Sequence, residues 1–145
     1  MAEPVRLTLA TGADETAVDQ TQDLLQTLWE QAPDVGDLDR IRLETAVAEV
    51  IGNIAKHTRR LDPPGSDSRR VHVTVWCSDE EVGAEFVDNG LPVAIDLSDV
   101  TMPDPDLDAE SGRGLALALA AVDQLDYERL SGRNHWRLSC RRGGA

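Results

Sequence analysis

Glu49, Asn53 and His57 stand four residues apart in the stretch "AEVIGNIAKHT". The same stretch carries Val50, Ile51 and Ile54 at helical spacing. At about 100° per residue a step of four advances about 40°, so the three polar side chains form one slanting stripe, each about 6 Å further along the axis. An Asn oxygen is a hard ligand of the kind Mg²⁺ accepts, and Mg²⁺ commonly completes its shell with waters and substrate phosphates. A Glu beside it can take a proton from an attacking hydroxyl or water. On its own, the stripe reads more simply as a solvated polar face.

Two further stretches hold residues suited to such chemistry. "EFVDNG" ends a strand-like run with Asp88, Asn89 and Gly90. An Asp there can accept a hydrogen bond from an amino group, such as the exocyclic amine of adenine, and Gly90 lets the backbone approach a flat ring. D-N-G is also an ordinary turn signal. "ESGRGLALALAAVD" sets Gly112 and Gly114 at the mouth of an apolar helix, where a phosphate can reach free backbone N–H groups at the positive end. A flexible helix start accounts for these glycines too. The dinucleotide-binding pattern is not met, because no strand runs straight into the glycines and no third Gly follows.

The elements that must position these residues follow from periodicity. "VRLTLA" (Val5 to Ala10) alternates as a short strand. A helix is expected from Asp14 to about Gln31 and, after the break "APDVGD", a second from Asp37 or Asp39 to about Thr58. Arg59 to Arg70 reads as a loop by composition. Val71 to Cys77 and Val82 to Asp88 read as a hairpin around "SDEE". Residues 91–111 read as a lid loop, too long and irregular to be a plain connector. A helix is expected over Gly112 to Leu125, and "DYERL" and "HWRLSC" form a last hairpin around "SGRN". The order strand, helix, helix, two strands, helix, two strands predicts a single α+β domain over residues 1–145. Its helices pack on one face of a mixed, mainly antiparallel sheet, as a two-layer sandwich.

Composition narrows the function. A formal net charge of −13 argues against unaided binding to nucleic acid or an anionic membrane, and favours basic partners or a metal–nucleotide complex held by local groups. Hydrophobic residues make up 41% and aromatics only 3%, so the core must be mostly aliphatic. There is no apolar run of transmembrane length and no signal-peptide pattern at the start. Cys77 and Cys140 each sit in a strand-like run, without metal-ligand spacing. They read as reduced core residues of a cytoplasmic protein, with a disulfide the less favoured alternative.

In this order, the three stretches resemble the GHKL (Bergerat-type) ATP-binding fold shared by gyrase B, MutL, histidine kinases and anti-sigma-factor kinases. "EVIGNIAKH" is similar to its N box, "VDNG" to its first glycine box and "SGRGLALALAAVD" to its second; the likeness in layout spans roughly Leu38 to Leu138. Members that activate a hydroxyl or water tend to carry a Glu four residues before the Asn, as here. With no room for a helical hairpin bearing a phosphoacceptor histidine, the chain is most similar to the compact bacterial anti-sigma-factor serine kinases. The resemblance implies ATP and Mg²⁺ as cofactors, with Asn53 holding the metal and Glu49 orienting and deprotonating a substrate serine. It places Asp88 on the adenine amine and Gly90 beneath the ring. Gly112 and Gly114 would hinge the lid, and Arg113 would offer charge to the phosphates. His57 reads more simply as a packed helix-end residue than as a ligand. Implied partners are a sigma factor and an anti-anti-sigma protein of the STAS type, with neither nucleic acid nor membrane. A homodimer through the N-terminal strand and helix fits the same type.

Three features depart from the pattern. Pro92 stands where the first glycine box often has a second Gly. Asn134 and His135 stand where many members have a Thr that bonds the adenine-side network. The lid carries Asp96, Asp99, Asp104, Asp106, Asp108 and Glu110, with no basic residue between Leu91 and Glu110. Two other function classes therefore stay open: a nucleotide- or partner-binding switch without kinase activity, and a structural domain that binds no nucleotide.

Overall fold

The computed structural model describes residues 4–61, 69–92 and 110–143, without the side chains of 57–61 and 110–113. The elements are β1 (Val5–Gly12), α1 (Glu15–Gln31), α2 (Asp37–Leu61), β2 (Arg70–Cys77), β3 (Glu81–Asp88), α3 (Glu110–Ala121), β4 (Gln124–Leu130) and β5 (Arg133–Arg141). Their order is the expected one. The strands form one sheet in the order β1-β2-β3-β5-β4. Each neighbouring pair is antiparallel, so the expectation of a mixed sheet narrows to an antiparallel one among the described residues.

Local chemistry explains most boundaries. Asp14 has extended backbone, and its carboxylate accepts the Thr16 N–H at 2.8 Å, which caps α1. Helix α2 runs past the expected Thr58 to Leu61. Arg59, Arg60 and Leu61 are good helix formers, and Pro63 disfavours helical backbone only at the residue before it. Helix α3 begins at Glu110 and stops at Ala121, short of the expected Leu125. Leu125 instead pairs with Leu138 across β4 and β5 and is buried there, while the Asp123 N–H bonds the Ser139 carbonyl at 3.0 Å. The β4–β5 turn is Ser131-Gly132, with φ of 53° and 76°, the two positive-φ residues that a tight hairpin with a right-handed strand twist requires.

One face of the sheet packs on the helices. Val71, Val73 and Val75 of β2, Val82, Ala84 and Phe86 of β3, and Trp136 and Leu138 of β5 meet Leu43, Val47, Val50, Ile51 and Ile54 of α2 in one mostly aliphatic core. Cys77 and Cys140 are free and buried on this face, each opposite Val82 from a different side. Two strand spacings, about 10 Å, separate them, beyond disulfide reach. Burial pushes both thiols above their ordinary pKa, which keeps them protonated.

Two positions give sharp stability predictions. On the helix-free face the Trp76 ring lies over Gly83, donates to Glu81 at 3.2 Å and carries the Arg137 guanidinium 4.6 Å from its ring centroid. A Cβ at Gly83 would fall 2.3 Å from the Trp76 ring and 2.8 Å from the Leu138 carbonyl oxygen. The carbonyl belongs to the sheet ladder and cannot yield, so Gly83→Ala should cost about 3 kcal/mol in urea denaturation. Thr21 of α1 is fully buried, and its hydroxyl has no hydrogen-bond partner among the described residues. Thr21→Val keeps the shape and removes the orphan, so it should add about 1 kcal/mol, read as a melting point raised by a few degrees.

Candidate functional site

Contacts at the ends of α2 set its direction over the sheet. Near its start, Asp39 accepts the Gly143 N–H just beyond β5, and Arg42 donates to the Ala121 carbonyl at the end of α3 at 2.8 Å. The later turns of α2 therefore lie toward the start of β5, the end of β3 and the start of α3. The stretches around Asn53, Asp88 and Gly114 therefore lie toward the same end of the molecule, and those around Asn53 and Gly114 are in contact.

Glu49 and Asn53 occupy adjacent turns of α2, both partly buried. The start of α3 packs directly on them. A Cβ on Gly114 would stand 2.6 Å from Glu49 Oε2 and 4.0 Å from Asn53 Nδ2, so only glycine permits this approach without moving the carboxylate. Asn53 Nδ2 is buried and has no hydrogen-bond partner among the described residues. An amide donor in that state costs about 1–3 kcal/mol in the free protein, a cost that an anionic acceptor would relieve. Gly112 lies in the first turn of α3 rather than in a loop before it, and Gly114 packs against Glu49. The side chains of His57 and Arg113, and lid residues 93–109, lie outside the described residues.

Asp88 ends β3 and is 4% exposed. Its Oδ1 accepts the Gly90 N–H at 2.9 Å, an Asx-type turn, and the Asn134 side-chain amide at 2.9 Å. Both hydrogen bonds land on Oδ1, which among the described residues leaves Oδ2 as the oxygen for a further donor. A Cβ on Gly90 would sit 2.9 Å from Asp88 Oδ1, so the glycine is needed here for space rather than for backbone handedness. Asn89 turns the other way, its side-chain oxygen accepting the Arg70 N–H at 2.8 Å.

The structure separates Asn134 from His135. Strand alternation puts Asn134 inward with Trp136, Leu138 and Cys140, and His135 on the helix-free face between Val87 and Glu128. Only Asn134 joins the Asp88 network. Sequence reasoning passed over Tyr127 and Arg129, which complete that network: Tyr127 OH and Arg129 Nη1 both donate to Asn134 Oδ1, and Arg129 also donates to the Gly90 carbonyl at 2.7 Å. The available signal was the tight "SG" turn, which sets β4 beside β5 in a fixed register and so brings Tyr127 and Arg129 to Asn134.

Among the described residues no cluster of three or more His, Cys, Asp or Glu could hold a metal, so a metal bound here would lean on Asn53 and on ligand oxygens. No helix among them is long and apolar enough to cross a membrane.

Comparisons with known proteins bear on the fold and the family. None of the curated protein sequences matches the chain. A solved structure titled as the RsbU and RsbW domains of Rv1364c from Mycobacterium tuberculosis is similar in fold, with a TM-score of 0.63 and 19% identity. The likeness covers 97% of this chain but 33% of that one, so this chain spans about a third of its neighbour. The family model described as the histidine kinase-like ATPase domain matches residues 11–140. A match over this much of the chain, on the expected sheet and helices, means that the chain belongs to the histidine kinase-like ATPase domain family.

Proposed function

We propose that this chain is an ATP-binding anti-sigma regulatory factor with serine/threonine protein kinase activity. In this reading it phosphorylates a STAS-type anti-anti-sigma partner and sequesters a sigma factor. The observation that carries the reading is the contact of Glu49 and Asn53 with Gly114, where a carboxylate and a buried, unpaired amide share one spot against the start of α3.

The residues fit Mg²⁺-ATP. Asn53 offers its oxygen to the cation and its unpaired nitrogen to a phosphate oxygen. Asp88 Oδ2 offers an acceptor to an adenine amine, and Gly90 leaves the ring room. The start of α3 presents backbone N–H groups toward the phosphates. Bound Mg-ATP supplies the transferable phosphoryl group. Glu49 would accept the proton of a partner's serine hydroxyl as that oxygen bonds the γ-phosphorus and the bond to the departing ADP breaks. The RsbW domain named in the neighbour's title supports the anti-sigma side of the reading, and the net charge of −13 suits a basic sigma-factor face.

A second reading, a nucleotide-binding switch without kinase activity, draws support from the turn after Asp88. There Asn134 and Arg129 hold the Leu91 and Gly90 carbonyls, and Pro92 follows. Titration with Mg-ATP, followed by transfer of labelled γ-phosphate to a STAS-type protein, separates the readings. A saturating ligand at about 100 times its dissociation constant stabilises by about 2.7 kcal/mol, plain in a thermal melt. No thermal shift rules out both readings; a shift without label on the partner's serine leaves the switch.

A further inference from the structure

We propose that Asn134 is the positioning residue that sets purine specificity in this site. The proposal rests on the ATP-binding reading above and names the residue that orients its base subsite.

Asn134 is 1% exposed, and its amide is fully used. The two hydrogens on Nδ2 go to Asp88 Oδ1 and to the Leu91 carbonyl, both at 2.9 Å. The oxygen accepts from Tyr127 OH and, at 3.1 Å, from Arg129 Nη1. Two donors aimed at Oδ1 decide which end of the amide faces Asp88. A reversed amide would set oxygen against the Asp88 carboxylate and nitrogen against two donors.

The consequence falls on Asp88. With Gly90 N–H and Asn134 both bound to Oδ1, the carboxylate cannot rotate without breaking two buried hydrogen bonds, and Oδ2 stays directed away from them. An oxygen held in this way accepts from a 6-amino purine. Against a 6-oxo purine it meets another oxygen, so like polarity excludes that base. Asn134 also holds the Leu91 carbonyl, and so the backbone just after Gly90. The turn that approaches the base is therefore held from β4 and β5 as well as by its own Asp88–Gly90 hydrogen bond.

The test compares the affinities of Mg-ATP and Mg-ITP, which share a triphosphate and differ at position 6 of the purine. Isothermal titration would be run on the wild-type chain, on Asn134→Leu, and on the double variant Tyr127→Phe with Arg129→Met. The wild type should favour ATP by at least about tenfold, the scale of one hydrogen bond to a buried charge. Asn134→Leu should bring the ATP-to-ITP ratio close to one, chiefly by weakening ATP. The double variant leaves Asn134 in place but removes the donors that orient it, so its ratio should fall as well, and it carries the test if Asn134→Leu does not fold. A merely structural Asn134 would weaken both nucleotides by the same factor, and an unchanged ratio in the folded variants overturns the proposal. A wild type that binds both nucleotides equally overturns it too while leaving nucleotide binding intact. A wild type that binds neither overturns the ATP reading itself.

Discussion

Glu49→Ala should retain Mg-ATP binding and lose phosphotransfer by about 10²–10⁴-fold, the usual contribution of a positioned general base. The two effects separate because, in the proposed reading, Glu49 and Asn53 do different work from adjacent turns of α2. Asn53 carries the unpaired amide suited to the nucleotide's polar groups, whereas the Glu49 carboxylate faces the start of α3 beside it. Removing the carboxylate leaves Asn53, Asp88 and the Asn134 network in place. A nucleotide titration and a labelled-phosphate assay on the same preparation read the two quantities. Undiminished transfer by the alanine variant would sink the assignment of Glu49 as base, and loss of ATP binding would show that Glu49 belongs to the binding shell.

Gly114→Ala should be nearly neutral or slightly stabilising, yet cut phosphotransfer by about 100-fold, the scale at which a misplacement near 1 Å disables a catalytic group. An alanine gains about 1 kcal/mol of helix propensity over glycine in α3. Its Cβ would arrive 2.6 Å from Glu49 Oε2, the far end of a flexible side chain, so the carboxylate moves and the helix backbone does not. Stability and activity thus part in opposite directions, as expected where a local rule is broken for function. A double-mutant cycle supplies the decisive check. If the methyl acts through Glu49, adding Gly114→Ala to Glu49→Ala should cost no further activity, and additive losses would refute the mechanism.

The fold was largely legible because its signals are local. Alternation in β1, β2, β3 and β5, three- and four-residue periodicity in α1 and α2, and the Asp14 cap each depend on neighbours within a turn or two. The order of eight elements followed from them. Errors fell at ends. Leu125 fits the apolar pattern of α3 as well as it fits β4, and only its pairing with Leu138 decides between them. The "mixed" sheet could not be narrowed from periodicity, because strand direction depends on how β1 reaches β2 across two helices.

For the site, the residue types and their spacing along α2 were determined by the sequence alone, since a step of four on a helix places Glu49 and Asn53 together whatever surrounds them. What lies against them was decided by the tertiary structure. Gly114 reads locally as a flexible helix start, and the packing of α3 on α2 turns it into the contact that positions Glu49. Asn134 reads as a departure from a family pattern, and the sheet register turns it into the partner of Asp88 46 residues earlier, with Arg129 reaching Gly90 across 39. Hydrogen bonds over such separations leave no local trace in a sequence, because they form only when the strands that carry them are already paired.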